Sequence, residues 1–377
     1  MRILIAALGS RDSEQGVAKL AQNAANGLRA IGHTVTCLFK EDILGRREAI
    51  PRFEAAYFGY KLASELRRRR GEFDVVNIHA PAGFAYGILR RLQPPRSLPP
   101  YVVLVHGIEE RRLYAMSREV EKGRAWHFSW GDRIRQRFYR MPLFRWSITT
   151  ADYAVTVNQE AWTMLEVKYR REIGRVRYIP NGVEARFLQD REYRDSSAVR
   201  LLYVGPWADE KGIYYLRDGF EDLIRRFPSV QLTVAGCKVQ ADSVRQWFSP
   251  PAQNRVEVLP FVSATDMPAV YARHDVFVFP SLVEGMPVAL LEAMASGMAV
   301  VTTEACGMAD IVQDEYNGLL VKPAQTAAFV AAVERMIESP ELRARLGREA
   351  QEIMKRHTWD LIAVRLEKVF EAAVAEQ

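Results

Sequence analysis

Apolar and polar positions alternate with two different periods along the chain. Short runs of β-branched and aromatic residues predict buried strands, and stretches with an apolar residue every three or four positions predict helices. In the first half the predicted strands are 2–8, 33–39, 74–79 and 101–107, and the predicted helices are 15–30 and 53–70. Because strands that alternate with helices favour a parallel sheet with right-handed crossovers, we expect an α/β, doubly wound domain.

The same alternation resumes after a polar stretch in the middle of the chain. The segment QDREYRDSSAVR, which ends at Arg200, is the predicted linker. A chain of 377 residues is too long for one ordinary core, so we expect two domains. The predicted boundaries are 1–185 for an N-terminal domain, 186–200 for the linker, 201–357 for a C-terminal domain and 358–377 for a final helix.

The segment 279–297, FPSLVEGMPVALLEAMASG, joins a strand end, a glycine turn and a helix start. The run DVFVFP predicts a buried strand that Pro280 ends. Gly285 permits a sharp turn or a positive φ, Pro287 suits the first helical position, and Gly297 stops the helix. The unpaired N–H groups and the dipole of such a helix start favour an anion such as a diphosphate.

Two carboxylates, Glu284 and Glu292, accompany this predicted anion site. Glu284 lies in the loop at its mouth, whereas Glu292 lies inside the helix among apolar residues, where a carboxylate needs hydrogen bonds. A ligand rich in hydroxyls would supply them. The alternative is that Glu284 is a solvated loop acid and Glu292 bonds a nearby backbone amide, but the strand, turn and helix around them favour the ligand.

This segment and the sequence after it resemble the signature of the retaining glycosyltransferases of family 4 (glycosyl transferases group 1), in which two glutamates are separated by seven residues. The resemblance implies the GT-B fold, with two facing Rossmann-like, doubly wound domains, an interdomain cleft and a final helix that crosses back onto the first domain. It also implies that Glu284 contacts the donor sugar and that Glu292 binds the ribose of the nucleotide. The backbone of Gly285, Met286 and Pro287 would face the sugar and the diphosphate.

A further strand and glycine loop, LLYVGPWADEKG, opens the second domain and resembles the same family pattern. Gly205 belongs to this predicted donor-binding loop. Lys211 stands where the family has a lysine, and a flexible ammonium near a helix start can neutralise a phosphate. Pro206 stands where the family has an arginine, so another cation is expected to take that place. Lys238 is the candidate; the alternative is that it is a solvated surface lysine.

In the first half, candidate residues lie beyond the predicted strands, where ligands of parallel sheets bind. His106 precedes Gly107 at a strand end, and in the family a histidine at this point lies by the donor sugar; the alternative is a half-buried structural histidine. The family has two adjacent glycines near the acceptor, whereas this chain has Gly9 and a single Gly16, which is the acceptor-side candidate. His79 also ends a strand, but the family pattern does not single it out.

Positive charge is concentrated in the first half of the chain. Residues 1–185 hold 31 Lys plus Arg against 19 Asp plus Glu, whereas the remainder holds 21 against 27. The segment 108–139, rich in Arg, Trp, Phe and Tyr, and the arginines at 67–70 supply much of this charge. Our hypothesis is that this face meets an anionic membrane or a lipid-pyrophosphate acceptor, the alternative being solvated helices with snorkelling arginines. No recognisable motif supports a nucleic-acid partner.

The remaining features predict the compartment. No apolar run approaches the ~20 residues of a membrane helix. The start, MRILIAALGSRD, predicts a strand rather than an export signal. Cys37, Cys237 and Cys306 are scattered and have no metal-ligand spacing. We therefore expect a cytoplasmic protein, associated in part with the inner face of the cytoplasmic membrane, that uses no metal or other cofactor.

The resulting prediction is a retaining, metal-independent hexosyltransferase with Glu284, His106 and Lys211 as catalytic residues. It would move a sugar from a UDP- or GDP-linked donor to a glycan or lipid-linked acceptor in the synthesis of bacterial surface polysaccharide or lipopolysaccharide. The alternative is a non-catalytic protein of the same fold that binds a nucleotide sugar or a glycan as a scaffold. Pro206 and the altered glycine loop favour that alternative, and the intact glutamates, lysine and histidine oppose it.

Overall fold

Two parallel sheets organise the chain, and each has six strands within the described residues. The computed structural model describes residues 1–12, 16–45, 53–123, 130–193 and 198–377. Their contacts divide them into two units. Within the described ranges, unit 1 contains Met1–Glu109, 130–182 and Trp359–Gln377, and unit 2 contains 110–123 and Val183–Thr358.

Buried β-branched strands and amphipathic helices alternate from residue 1 to residue 182. The strands are β1 (Arg2–Ala6), β2 (Thr34–Leu38), β3 (Val75–His79), β4 (Tyr101–Val105), β5 (Tyr153–Thr156) and β6 (Val176–Tyr178). The helices are α1 (Gly16–Ala30), α2 (Lys40–Leu44), α3 (Glu54–Arg68), α4 (Phe84–Leu92), α5 (Glu109–Glu121), α6 (Trp130–Arg135), α7 (Met141–Thr150) and α8 (Gln159–Val167), with a π-helical turn (Gln136–Arg140) between α6 and α7.

The sheet of unit 1 reverses its strand order at one point. The order is β2, β1, β3, β4, β5, β6, so successive connections run in opposite directions from the pair β1 and β3. The strands are parallel, and the register places His79 at the end of β3 opposite Leu104 of β4. The loops that follow these strands therefore lie at one edge of the sheet, at the position where open α/β sheets bind ligands.

The second half repeats the alternation of strands and helices. Its strands are β7 (Arg200–Val204), β8 (Gln231–Ala235), β9 (Val256–Leu259), β10 (Val276–Phe279), β11 (Ala299–Thr303) and β12 (Leu319–Val321). Its helices are α9 (Ile213–Arg226), α10 (Ala241–Arg245), α11 (Pro250–Gln253), α12 (Met267–Ala272), α13 (Val288–Ala295), α14 (Gly307–Ile311), α15 (Thr326–Glu338), α16 (Pro340–Met354) and α17 (Trp359–Ala375), with short 3-10 turns at Ala185–Phe187 and Asp209–Lys211.

The sheet of unit 2 also reverses its order, between β7 and β10. The order is β12, β11, β10, β7, β8, β9, and all neighbours are parallel. The chain leaves β7 toward β8 and β9, and leaves β10 toward β11 and β12. The connections therefore diverge, and the loops after β7 and β10 border the crevice that such a divergence opens.

The last helix, α17, belongs to unit 1 and packs against α1. Close contact requires a glycine in α1, because a Cβ at Gly27 would lie 2.5 Å from the carbonyl oxygen of Trp359. Farther along α17, the buried residues Ile362, Leu366 and Phe370 join the apolar core on this face of the sheet. The C-terminal end of the chain thus completes the core of the unit that contains the N-terminus.

Helix α5 begins in unit 1, but the rest of its residues belong to unit 2. There the buried carboxylate of Glu119 accepts a hydrogen bond from the Tyr215 hydroxyl at 2.8 Å and pairs with Lys122 at 2.9 Å. The sequence prediction assigned this stretch, with the rest of 108–139, to the N-terminal domain. Most of its described residues are helical, and they divide between the two units.

The structure confirms the predicted fold class, two doubly wound α/β sheets. Three predicted segments are described only in part. Gln15 of the predicted helix 15–30, residues 124–129 of the segment 108–139 and residues 194–197 of the predicted linker lie outside the described residues. Neither Asn181 nor Gly182, which follow β6, has the positive φ that an Asn-Gly turn favours. Gly182 is instead required by packing, because a Cβ there would lie 2.7 Å from the Trp359 ring. In the described part of the chain, no helix combines the length and apolar character needed to cross a bilayer.

Candidate functional site

The loops after β7 and β10 in unit 2 contact each other closely. Gly212, just before α9, has a positive φ of 72°, and a Cβ there would lie 1.9 Å from the carbonyl oxygen of Pro280. Gly205 has a positive φ of 150°, which residues with a side chain rarely adopt, and its N–H donates to the carbonyl oxygen of Ala235 in the adjacent strand. Glycine at 212 is therefore needed both for the left-handed conformation and for the approach of the two loops.

This approach brings Lys211 to Glu284, two of the predicted catalytic residues. The Lys211 ammonium forms an ion pair with Oε1 of Glu284, and both side chains are largely buried. The hydroxyl of Ser281 lies 3.2 Å from the same carboxylate oxygen and 3.0 Å from the carbonyl oxygen of Glu210. A cation and an acid that are 73 positions apart in sequence thus lie together at the reversal point of the sheet.

The backbone that follows Glu284 is fixed by the neighbouring loop. The N–H of Gly307 donates to the carbonyl oxygen of Gly285 at 3.0 Å, and a Cβ at Gly307 would lie 2.0 Å from that oxygen. Gly285 itself does not adopt a positive φ. Pro287 lies one position before its predicted place, as the N-cap of α13, and the φ of 68° at Gly297 ends the helix as predicted. The first turn of α13 presents backbone N–H groups without intrahelical partners.

Glu292 lies on α13 and is held by a tyrosine from α12. The Tyr271 hydroxyl donates to Oε2 of Glu292 at 2.9 Å, and the Tyr271 side chain is completely buried. Burial, and after it the negative charge of Glu292, hold the pKa of Tyr271 well above its usual value, so the phenol stays a donor. Hydrogen bonding thus makes a carboxylate tolerable among the apolar residues of α13.

Pro206, in the position of the expected arginine, belongs to a packed aromatic turn. Its carbonyl oxygen accepts a hydrogen bond from Tyr203 at 2.8 Å, and the N–H of Trp207 donates to Cys237 at 3.0 Å. The second contact places the loops after β7 and β8 side by side. Lys238, next to Cys237, is exposed and has a φ of 61°. Lys238, the candidate to replace the expected arginine, is therefore the residue after the one whose carbonyl oxygen contacts the loop of Pro206.

In unit 1, His106 follows β4 and contacts the last residue of β3. Its Nε2 lies 2.9 Å from Nδ1 of His79. Burial lowers the pKa of His106 to about 4, and burial with the nearby charge of His106 lowers the pKa of His79 well below its usual value. Both imidazoles are therefore neutral at neutral pH. The Nδ1 of His106 is buried and has no hydrogen-bond partner among the described residues.

A small cavity in unit 1 adjoins this histidine pair. The cavity offers about 20 Å³ to the centre of a water molecule, which is enough for one ordered water. Its polar lining comes from Asn77, His79, His106 and Asn181. Its apolar lining comes from Leu20, Ala24, Leu104, Val157, Ile179, Pro180, Trp359, Ile362 and Leu366.

Gly16 is the first residue of α1 and has a positive φ of 75° with open space around it. Gly9 has a different requirement, because a Cβ there would lie 2.9 Å from Cβ of Ala18. The loop between them includes residues outside the described ranges. The acceptor-side role of Gly16 stays a prediction.

Tyr271, Ser281 and His79 were not singled out from the sequence as site residues. Their common signal is position: Ser281 and His79 lie at or just beyond a strand's carboxyl end, and Tyr271 precedes the strand that leads to the glutamates. That signal is weak because most residues in such positions only pack. The structure brings Lys211, Glu284 and Ser281 together in unit 2 and pairs Glu292 with Tyr271, whereas His106 and Gly16 belong to unit 1.

Comparison with known protein families matches both halves of the chain. The model described as Glycosyltransferase Family 4 matches residues 15–187. The model described as Glycosyl transferases group 1 matches residues 187–353. The two matches meet at residue 187 and together extend over most of the sequence.

Curated relatives are distant in sequence. An uncharacterized glycosyltransferase of Methanocaldococcus jannaschii is 23% identical over 312 residues, which are 83% of this chain and 79% of that protein. The alpha-D-kanosaminyltransferase of Streptomyces kanamyceticus is 30% identical over 151 residues, which are 40% of this chain and 39% of that protein.

Solved structures resemble the whole chain. Sucrose-phosphate synthase of Thermosynechococcus elongatus has a TM-score of 0.78 at 17% identity, covering 100% of both chains. The Anabaena protein HepE, solved in complex with UDP, has a TM-score of 0.70 at 17% identity, covering 99% of this chain and 100% of that one. At this level of identity the likeness establishes the fold.

Proposed function

Because the chain belongs to the family 4 glycosyltransferases, with the group 1 domain in its second half and the GT-B fold, we propose that it transfers a sugar from a nucleoside diphosphate donor to a glycan or lipid-linked acceptor. The observation that carries this proposal is the pairing of Lys211 with Glu284 just before the N-terminus of α13. A cation, an acid and unpaired helix amides at a reversal point suit a sugar joined to a diphosphate.

The chemistry follows from where charge develops during transfer. The bond from the anomeric carbon to the diphosphate oxygen breaks, so the sugar gains cationic character and the leaving phosphate gains negative charge. Lys211 and the amides that begin α13 stabilise that negative charge, and preorganised groups of this kind make large contributions to catalysis. Glu284 orients the sugar, and Glu292 holds the ribose hydroxyls of the nucleotide. Exclusion of water suppresses hydrolysis of the donor.

Transfer with retention of anomeric configuration is part of the proposal. In a two-carboxylate scheme, retention requires a nucleophile about 5 Å from an acid. Glu284 is engaged in its ion pair with Lys211. We therefore propose that the acceptor hydroxyl attacks the anomeric carbon from the face that the diphosphate leaves, and that the leaving phosphate accepts the proton of that hydroxyl. The anomeric coupling constant of the product, measured by NMR, tests this. A product of inverted configuration would refute it.

The donor is proposed to carry uridine or guanosine diphosphate. The UDP complex of the Anabaena protein supports testing uridine donors first. Purified protein incubated with UDP-glucose, UDP-galactose, UDP-N-acetylglucosamine and GDP-mannose should release the nucleoside diphosphate slowly from one of them, even without acceptor. Release in the presence of EDTA tests metal independence, which fails if the chelator abolishes turnover and added magnesium restores it.

Glu284→Ala tests the site. It should reduce turnover by at least about 100-fold while the protein stays folded, because the sugar loses its orienting acid and Lys211 loses its partner. Glu338→Ala is the matched control, since Glu338 is an exposed glutamate at the end of α15 in the same unit. If Glu284→Ala transfers sugar as well as Glu338→Ala does, the site is elsewhere.

The acceptor is proposed to be an intermediate of bacterial surface polysaccharide or lipopolysaccharide, made at the inner face of the cytoplasmic membrane. The lipopolysaccharide outer core galactosyltransferase WaaB shares the fold of this chain, with a TM-score of 0.69 over 99% of both chains, and is the reason to test acceptors of this class. A lipid-linked acceptor requires the enzyme to approach a membrane surface. Peripheral association is therefore part of the proposal.

The surface that suits this association lies on two helical segments of unit 1. Trp130, Ile134 and Phe138 are spaced four residues apart, and the exposed fraction of Trp130 reaches 79%. On α3, Tyr57 and Tyr60 are also exposed. The Phe53 ring packs edge-on against the Tyr139 ring, and the Ala56 N–H donates to the Tyr139 hydroxyl at 3.0 Å, so the two segments adjoin.

Cations accompany these exposed aromatic residues. On α3 the exposed Lys61, Arg67 and Arg68 follow the tyrosines, and Arg135 and Arg137 are exposed beside Phe138. Trp and Tyr favour the headgroup region of a bilayer, and exposed Lys and Arg are attracted to anionic lipid. Scattered exposed apolar residues are normal, but a group of this size with matching charge suits an interface.

Sedimentation with vesicles tests the membrane part separately. Binding should be strong to phosphatidylcholine vesicles that contain phosphatidylglycerol and weak to vesicles of phosphatidylcholine alone. The double variant W130S/F138S should bind less, whereas Ile173→Ser should not, because Ile173 is an exposed apolar residue outside both helices. Equal binding to the two vesicle types, or equal binding of the double variant and the control, would refute membrane association.

The second candidate function is a non-catalytic protein that binds a nucleotide sugar or glycan as a scaffold. The observation that favours it is Pro206, which removes an expected cation from the loop after β7. Calorimetry with UDP and GDP, combined with the turnover assay, distinguishes the two. Tight binding of a diphosphate with no turnover of any donor would support the scaffold.

A further inference from the structure

The contact between His79 and His106 in unit 1 joins two neutral rings that share one proton. Nδ1 of His79 and Nε2 of His106 are 2.9 Å apart, and the ring centroids are 4.8 Å apart. A hydrogen bond between two neutral imidazoles needs one N–H and one lone pair. If both rings were protonated, each nitrogen would be a donor and the contact would be lost. Burial prevents this by disfavouring the charged forms.

This hydrogen bond leaves one nitrogen of His106 for other partners. Its Nδ1 is buried and without a partner among the described residues. A buried polar atom without a hydrogen-bond partner destabilises a fold, so its presence requires an explanation, and a catalytic or binding role is one. The His79 side chain is 3% exposed and belongs to the last residue of β3.

We propose that His79 is a positioning residue: it holds the His106 ring through Nε2, fixes the tautomer of that ring, and so makes Nδ1 the atom that His106 offers to a sugar hydroxyl. The inference rests on the proposed transfer reaction. It adds a residue that does not touch the substrate and acts only through its neighbour. A hydroxyl suits this site because it can donate or accept, so it satisfies Nδ1 whichever of the two tautomers the contact with His79 fixes.

The register of the sheet explains why this arrangement is rigid. His79 lies opposite Leu104 in the parallel pairing of β3 with β4, and the Ala80 N–H donates to Leu104 at 2.9 Å. Asn77, two residues before His79 on the same side of β3, donates through Nδ2 to the carbonyl oxygen of Val102 at 3.1 Å. The strand ends that carry the two histidines are therefore fixed relative to each other by backbone and side-chain hydrogen bonds.

Two substitutions of His79 distinguish the positioning role from a purely structural one. The amide oxygen and nitrogen of asparagine are bonded to Cγ, and so is Nδ1 of histidine. His79→Asn therefore keeps a polar atom near Nε2 of His106. His79→Leu fills similar space but cannot form the hydrogen bond. If His79 only packed, leucine would be tolerated and asparagine would be harmful, because it buries an amide in the place of a ring.

Kinetics with the donor found in the nucleotide-sugar panel separates the two roles. We expect His79→Leu to reduce kcat about 10- to 100-fold with KM for the donor changed less than about threefold, because small misplacements of a reacting group have effects of this size. His79→Asn should recover most of the lost kcat. Full activity in His79→Leu, or a larger loss in His79→Asn than in His79→Leu, overturns the proposal.

A spectroscopic readout does not depend on turnover. The chain has six histidines, so protein labelled with ¹⁵N-histidine gives few imidazole signals, and those of His106 are assigned with His106→Gln. The wild type and His79→Asn should show His106 as a single neutral tautomer at pH 7.5, and His79→Leu should show nitrogen shifts averaged between tautomers. Identical His106 shifts in the wild type and His79→Leu refute the pairing. If the wild type turns over no donor, the proposed function fails, and these shifts still test the pair.

Discussion

Tyr271 donates a hydrogen bond to Glu292 across the contact between α12 and α13, with 2.9 Å between Oη and Oε2. The phenol is completely buried, and its ring packs edge-on against Phe187. A carboxylate proposed to bind ribose hydroxyls is thereby held in one orientation before the nucleotide arrives. Such preorganisation reduces the ordering that binding would otherwise require.

Tyr271→Phe should weaken donor binding by about 10- to 150-fold, because Glu292 loses the hydrogen bond that orients it and such charged hydrogen bonds contribute about 1.5–3 kcal/mol. The ring packing is retained, so the fold should survive. Calorimetric titration with the nucleoside diphosphate measures the effect. Tyr86→Phe removes another buried hydroxyl, one that donates to Pro99 in unit 1, and serves as the control. Equal affinities of the two variants would contradict the prediction.

Lys211→Ala should reduce kcat by about 100- to 1,000-fold, since it removes the cation that pairs with Glu284 and stabilises the leaving phosphate. Lys238→Ala should only weaken donor binding, by about two- to fivefold, because an exposed lysine acts through a screened charge. Raising the salt concentration should shrink the second effect more than the first. Steady-state kinetics at two ionic strengths measures both. Unchanged donor affinity in Lys238→Ala would remove Lys238 from the site.

Gly307→Ala should disrupt the loop that carries Glu284. The added Cβ would lie 2.0 Å from the carbonyl oxygen of Gly285, and backbone at that distance must move. We expect a loss of about 1–3 kcal/mol in the free energy of unfolding and a marked loss of turnover. Gly219→Ala is the control, because the atoms nearest to the new Cβ in α9 belong to side chains, Phe329 at 3.2 Å and Val330 at 3.3 Å, and alanine favours a helix. Urea unfolding of both variants tests the contrast.

Acid should destabilise the protein before its carboxylates titrate. Burial lowers the pKa of His106 and of His274 to about 4, and that of His79 well below its usual value. The unfolded chain binds protons near pH 6.5 at these positions and the folded chain does not. The free energy of unfolding is therefore highest above pH 6.5 and falls toward pH 5, by up to about 1.4 kcal/mol per pH unit for each imidazole. Urea unfolding at pH 7.5, 6 and 5 measures this, and a constant value would contradict it.

Much of the fold was accessible from the sequence, because strands and helices have local periods. The predicted strand 74–79 became Val75–His79, and the predicted helix 53–70 became Glu54–Arg68. The turn at Gly297 was also local, since a residue with positive φ ends a helix irrespective of its distant neighbours. The segment 108–139 gave no predicted strand or helix because its mixed aromatic and basic composition has no clear period, although most of its described residues are helical.

The sequence by itself determined the alternation of strands and helices, the helix start after Glu284 and the family resemblance carried by that segment. Only the tertiary structure decided which residues meet: Lys211 with Glu284, His79 with His106, and Tyr271 with Glu292. These partners are 73, 27 and 21 positions apart. Their contact depends on strand order and register, which arise from pairing between distant segments, and a local pattern carries no record of that pairing.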